Sequence, residues 1–243
     1  MNKTSSGLLH ALKHRLNVLR GKDVVLSLDT RRSTEYHGSE YGGFAILEDS
    51  LRPDSVVLSC GVGEDASFDM SIIRKYKCRI IAVDPTPKAV NYVRRHIRAD
   101  GFSLLEIAVS SHDGLARFYL PQNPDWVSGS LNQGGTTGAD FIEVSCLRLG
   151  SILRKANTSR LDLLKLDIEG AEYDVLDEYI SDRESPRAKQ IALEFHHHFQ
   201  NYSKVHTLKL CDRLREAGYA LAWVSSTHRE ALFVESWPGE TRS

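Results

Sequence analysis

Two acids close an otherwise apolar run in Leu161-Asp162-Leu163-Leu164-Lys165-Leu166-Asp167-Ile168-Glu169-Gly170-Ala171-Glu172. A run this apolar reads as a buried strand, and acids at its carboxyl end stand where open α/β sheets bind ligands. Asp167 and Glu169 are two residues apart, so continued extension points both into one cleft. Glu172 and Asp174 suit the first turn of the next helix, where acids complement the dipole. A second group is Glu194-Phe195-His196-His197-His198-Phe199, at the end of another apolar run. Period two places Glu194, His196 and His198 on one face. Histidines and carboxylates so placed could hold a divalent metal, or His196 could act as a general base. We assign His196 and Asp167 as candidate bases, Glu169 and Glu194 as the groups that orient them or the acceptor, and no metal ligand.

A strand running into a glycine turn precedes these groups: Val56-Val57-Leu58-Ser59-Cys60-Gly61-Val62-Gly63-Glu64-Asp65. Glycines there let backbone approach a ligand, and the following helix offers free N–H donors. The spacing also satisfies G-x-G-x-x-A through Ala66, the pattern of a dinucleotide site. About 20 residues on, Asp84 follows Ile80-Ile81-Ala82-Val83, the separation expected of a carboxylate that grips ribose hydroxyls. Asp84 could instead cap the helix that follows, but the glycine turn at the right distance favours the ribose role. Adenosyl cofactors and dinucleotides both carry that ribose, so the pair does not choose between them.

The elements that must hold these residues alternate. Residues 55–59 are strand-like, 68–76 helix-like, 79–83 strand-like and 88–99 helix-like, which predicts a parallel sheet with crossover helices. Strands follow at 104–109 and 116–120, then a polar stretch, 121–140, too long for a simple connection and read as an acceptor lid carrying Trp126 or as a flexible insertion. Further strands are expected at 141–146, 161–168, 190–195, 219–224 and 231–234, with helices at 149–155, 171–180 and 207–217. Gly218 suits the cap of the last helix. Residues 1–50 form a lead-in, with Leu8, Leu9, Leu12, Leu16 and Leu19 at the spacing of an amphipathic helix that lies on the core, a partner or a membrane surface. Residues 51–243 form the catalytic domain.

The 31 basic and 32 acidic residues balance, so no nucleic acid or other polyanionic partner is implied. Cys60, Cys78, Cys146 and Cys211 form no C-x-x-C pair, which suggests reduced thiols. With no membrane-length run and no leader-like apolar core at the start, the reading is a cytoplasmic protein.

The motifs LLKLDIEGAEYDVL, VLSCGVGED, AVDPTP, EIAVSSHDGLARFYLP and ALEFHHHF together resemble the FkbM-type methyltransferases, a branch of the class I S-adenosylmethionine enzymes, over about residues 40 to 235. The resemblance implies a Rossmann-like α/β fold with a seven-stranded, mostly parallel sheet whose last strand is antiparallel, and helices on both faces. It places S-adenosylmethionine over the first two βα turns, at Gly61, Val62, Gly63, Glu64, Asp65, Asp84, Pro85, Ala108 and Val109, with Asp167 nearby. It implies methyl transfer to a hydroxyl of a sugar or another small molecule. Many class I enzymes carry an acid two residues before the first glycine, where this chain has Ser59; Glu64 and Asp65 are the expected substitutes for binding the methionine ammonium. Residues 40–43 resemble the family's segment that closes over the methionine end. Alcohols are poor nucleophiles while neutral, so such a site needs positioning and a base. A nicotinamide oxidoreductase remains the rival for the glycine turn but gives Asp167 no role. A noncatalytic protein binding a glycan through the same cleft is a third reading.

Overall fold

Strands covered on both faces read as unbroken apolar runs, and the computed structural model shows that such runs build the centre of this chain. It describes residues 16–20, 23–123, 125–134, 137–199 and 201–236. The strands are β1 (Thr34–His37), β2 (Phe44–Leu47), β3 (Val56–Cys60), β4 (Arg79–Val83), β5 (Phe102–Leu105), β6 (Ala108–Val109), β7 (Gly114–Pro121), β8 (Thr137–Leu147), β9 (Leu161–Leu166), β10 (Ala188–Glu194), β11 (Tyr219–Val224) and β12 (Glu230–Glu235). The helices are α1 (Ser67–Tyr76), α2 (Pro87–His96), α3 (Leu149–Lys155), α4 (Glu172–Ser181) and α5 (Lys204–Glu216).

Among the described residues, seven strands form one sheet in the order β11-β12-β10-β9-β3-β4-β5. Only β12 opposes its neighbours, the arrangement expected for a Rossmann-like methyltransferase sheet. Alternate residues of the central strands face opposite layers. Leu58, Leu164 and Ile191 pack with Leu153 of α3, Leu176 of α4 and Leu214 of α5. Val57, Ile80 and Leu163 pack with Phe68 and Ile72 of α1 and with Phe44 and Ile46 of β2. Residues 23–50 therefore share the core: Val24 and Leu26 are buried in one layer, and the β1–β2 pair backs the other.

The structure differs from the sequence expectation in three places. Residues 34–47, part of the lead-in for which no strand was expected, form the β1–β2 pair, whose strands are four residues each and too short to show a period. The run at 104–109 divides: β5 ends at Leu105, and β6 joins a separate three-stranded sheet, β6-β8-β7. The polar stretch 121–140 is partly folded, because β8 begins at Thr137 and Ser130 bridges Tyr119. The N-terminal helix expected from Leu8 lies mostly outside the described residues, which show a helical turn at 16–19. All four cysteines are buried and unpaired, and no helix among the described residues is long and apolar enough to cross a membrane.

At the amino ends of the sheet, one carboxylate joins three strands. Asp162, 2% exposed, accepts hydrogen bonds from Val56 N (2.9 Å), Arg160 Nε (2.6 Å) and Lys189 Nζ (2.8 Å). Burial works to raise its pKa, but these donors outweigh it and hold the carboxyl below its ordinary value of 3.8. The folded value thus lies below the unfolded one, so this stabilisation is complete above the carboxylate range and is lost as pH falls through it. Arg160 and Lys189 are 40% and 57% exposed and recover water when the acid is removed. Asp162→Ala is expected to cost about 2 kcal/mol at neutral pH, with the difference from the parent shrinking below about pH 4, measured by urea unfolding across pH.

Candidate active site

Strand order reverses between β3 and β9: β4 and β5 extend one way, β10 the other. Such a switch point leaves a crevice at the strands' carboxyl ends, and a cavity open to solvent lies there. The turn Gly61 to Asp65 lines it, as do Asp84 and Pro85 beyond β4, Ala108 and Val109 of β6, and Asp167 and Glu169 beyond β9. Val127 and Ser128 of the polar stretch and Tyr41 and Gly42 of the lead-in complete the wall. The ten residues expected to contact the cofactor thus share one cavity.

The two glycines differ in purpose. At Gly61 (φ +83°) a Cβ would lie 1.7 Å from the Asp167 carbonyl oxygen. That position is glycine because the ends of β3 and β9 touch, not because a ligand must approach. At Gly63 (φ +57°) an added Cβ would meet only Val127, at 3.6 Å, so its backbone angle is the constraint.

Asp84 faces inward to the turn. Its Oδ2 accepts from Val62 N (3.0 Å) and Gly63 N (2.9 Å), and its Oδ1 from Thr86 N (2.8 Å) and Thr86 Oγ1 (2.5 Å). A carboxylate has about four acceptor positions, and all are used. Asp65 is similarly engaged: Ser39 Oγ (2.5 Å) and Ser67 N (2.8 Å) donate to it, tying residues 39–42 to the turn. Burial opposes these bonds, yet they hold the Asp65 carboxyl below its ordinary value. Glu64 is exposed at the rim.

Where the acid is absent, Ser59 lies beside a buried lysine and a buried acid. Ser59 pairs across the sheet with Lys165, and α1 brings the buried Asp69 toward them. Burial raises the Asp69 carboxyl against the opposing influence of Lys165 and Ser59. Lys165, 5% exposed, donates to the Gly61 carbonyl (2.5 Å), lies 3.6 Å from Asp167 Oδ2 and sits 5.1 Å from the centre of the Phe44 ring. Sequence reasoning passed over it, although a single lysine inside LLKLD was the signal: an ammonium is rarely buried without partners.

Beyond the turn lies a buried acid–histidine group. Strand β9 ends at Leu166, and Glu169 has φ +56°, so extension does not align Asp167 with Glu169. The loop does, held by Ser130 Oγ donating to the Glu169 carbonyl (2.7 Å) and by Glu172 accepting from Ile168 N (2.7 Å) and Gly170 N (2.9 Å). Strand β10 likewise ends at Glu194, and the three histidines diverge. His196 Nε2 faces Glu169 Oε2 (3.5 Å) and Asp167 Oδ1 (3.9 Å), while its Nδ1 lies 3.1 Å from Glu172 Oε1. His197 turns away to Asp23 (2.7 Å) and Thr207 (3.1 Å), pinning the lead-in. His198 is exposed. Glu172, expected merely to complement a helix dipole, is fully buried and serves both the loop and His196.

Burial alone would strip the proton from His196, but Glu172, Glu194 and Glu169 outweigh it and push the pKa up to about 10. Burial and the charge of Asp167 push Glu194 up to about 8 against the effect of His196. Burial also raises Glu169, again against His196. At neutral pH His196 is an imidazolium and Glu194 holds a proton.

This sheet, with a glycine turn after β3 and acids after β9, is the class I methyltransferase fold. The Methyltransferase FkbM domain matches residues 54–221, and the chain belongs to that family. The 2-O-methyltransferase NoeI of Sinorhizobium fredii (strain NBRC 101917 / NGR234) is 27% identical over 140 residues, 51% of this chain and 57% of that protein. The chain thus matches little more than half of that relative's length. Among solved structures, the fibrillarin pre-rRNA processing protein of Methanococcus jannaschii aligns at 10% identity and a TM-score of 0.47, over 81% of this chain and 72% of that one. The N-terminal domain of human METTL16 in complex with SAH aligns at 12% and 0.44, over 76% and 62%.

Gly61→Ala is expected to destabilise the chain by at least about 2 kcal/mol, since both the backbone angle and the Asp167 carbonyl oppose a methyl group; denaturant midpoints measure it. In the ligand-free chain, the imidazole nitrogen shifts of His196 are expected to remain those of the protonated ring at pH 8, by NMR titration. The raised folded-state value also means that this group stabilises the fold below pH 6.5 and loses that contribution as pH rises through about 10.

Proposed function

We propose that the chain moves a methyl group from S-adenosylmethionine to a hydroxyl oxygen of a sugar or another small polyhydroxylated molecule. The observation that carries this reading is the sign of the cavity's charge. Among the described residues, Glu64, Asp65, Asp84, Asp167 and Glu169 line it against one ammonium, Lys165. That lining suits a ligand bearing a sulfonium and an ammonium. It does not suit a pyrophosphate, and the turn amides that would bind one are already bonded to Asp84.

When bound, the cofactor supplies an electrophilic methyl group. Pro85, Val109 and Val62 offer apolar surface for adenine, and Asp84 meets the ribose by releasing the Thr86 hydroxyl. Glu64 and Asp65 hold the ammonium under the cover of Tyr41 and Gly42. Asp167 orients the acceptor hydroxyl and takes its proton as the new bond forms. His196, already protonated, stabilises the charge on Asp167 and Glu169 rather than acting as the base. Glu194, raised by burial and by Asp167, keeps its own proton. Residues 127–129 exclude water above. The name of the relative, a 2-O-methyltransferase, supports oxygen as the acceptor, and the paired acids supply the acceptors that sugar hydroxyls need.

Calorimetric titration with S-adenosylhomocysteine and with NAD tests the cofactor; the reading requires binding of the first and none of the second. With labelled S-adenosylmethionine and a panel of saccharides, Asp167→Asn is expected to lower kcat by about 10²- to 10⁴-fold. Turnover retained in both Asp167→Asn and His196→Ala would remove the assignment of either residue to the chemistry.

A further inference from the structure

The geometry points to a divalent-cation site of the Mg²⁺ or Mn²⁺ class formed by Asp167, Glu169 and His196, with its open side toward the cavity. The inference rests on the methyl-transfer reading for its purpose: the cation binds in place of the His196 proton, which passes to water, takes neighbouring hydroxyls of the acceptor as its remaining ligands and so orients one of them.

Three observations support it. One oxygen from each acid and one ring nitrogen of His196 lie within 4.8 Å of one another. Adjacent ligands of an octahedral ion at the usual distance are about 3 Å apart. The observed 3.5 Å and 3.9 Å between His196 Nε2 and the two carboxylates exceed that value by less than about 1 Å.

The second observation is the environment of His196. Its side chain is 4% exposed, and neither ring nitrogen makes an aligned hydrogen bond among the described residues: Nδ1 is 3.1 Å from Glu172 but off line. A buried imidazole aimed at two carboxylates and backed by a third has the layout of a metal-binding histidine with its outer carboxylate. Glu172 is itself fixed by the Ile168 and Gly170 amides, so the ring's backing is rigid.

The third is the accounting of charge. Asp167, Glu169, Glu172 and Glu194 surround one histidine in a largely buried space, and Lys165 approaches only the Asp167 oxygen that faces away from the ring. Like charges so close are costly in low dielectric, and a dication between two of them relieves it. Two carboxylates with one imidazole, open to water on one side, suit Mn²⁺ and Mg²⁺, whereas thiolate-rich sets select zinc. The sequence offered a divalent metal on the face of Glu194, His196 and His198 but assigned no ligand; the structure instead brings His196 to Asp167 and Glu169.

The test uses the full chain, stripped with EDTA, dialysed and titrated with MnCl₂ while the paramagnetic resonance of free Mn²⁺ is followed. Uptake of one ion per chain, displaced by MgCl₂, is expected. Glu169→Gln and His196→Gln should abolish it with thermal unfolding otherwise cooperative, Glu172→Gln should weaken it by about 10- to 100-fold, and Glu64→Gln, at the rim, should leave it unchanged. If the parent chain leaves the free Mn²⁺ signal intact, or if the Glu169 and His196 variants bind as well as the parent, the site does not exist. The two readings fail separately. Methyl transfer undiminished in excess EDTA, without Mn²⁺ uptake, removes the cation alone, whereas uptake without affinity for S-adenosylhomocysteine removes the transfer reading alone.

Discussion

At the carboxyl ends of β3 and β9 the backbone of Gly61 and the carbonyl of Asp167 meet with no room for a side chain, and Asp167 N donates to Cys60 O (3.1 Å). This contact sets the distance between the glycine turn and the acid beyond β9, the two groups proposed to receive cofactor and acceptor. Lys165 reinforces it by bonding the Gly61 carbonyl while facing Asp167. Group transfer depends on such fixed spacing, because misplacing two reactants by an ångström costs more than most single interactions supply. The strands themselves are pinned at their opposite ends by Asp162, so the β3–β9 pair is held at both termini by buried charge.

The active region holds more carboxylates than cations, and burial prevents water from screening them. The result is mutual adjustment: His196 retains its proton, Glu194 acquires one, and Glu169 shifts the same way. Each group's state is a property of the set. This is why Glu172, which touches no cavity surface, matters to the chemistry. It carries the charge that keeps His196 protonated and fixes the loop that turns Glu169 inward.

The sheet was legible in the sequence because its strands are buried on both faces and its helices carry one apolar stripe each. Both patterns survive without tertiary knowledge. Gly61, Asp84 and Asp167 were found for the same reason: they sit at the ends of strongly patterned segments. What escaped was set by long-range packing. The β1–β2 pair is too short to show a period, and β6 belongs to a second sheet that no local pattern announces. Lys165 and Asp69 are polar groups on core faces that compensate one another across 96 residues of chain. Glu169 reaches its place through a left-handed backbone angle, which alternation cannot foresee. Asp84 was located correctly, but the sequence offered ribose contact or helix capping and not the turn-locking role that its four hydrogen bonds show.

That locking carries a consequence for selectivity. A glycine turn at the head of a helix is ordinarily attractive to any passing phosphate, and free nucleotides are abundant competitors wherever a protein binds adenosine. Here the turn brings its own built-in anion, Asp84, so its amides are satisfied before any solute arrives. On the proposed reading, the pocket would recognise the nucleoside portion of its ligand while offering no free turn amides to the phosphates of compounds that share it.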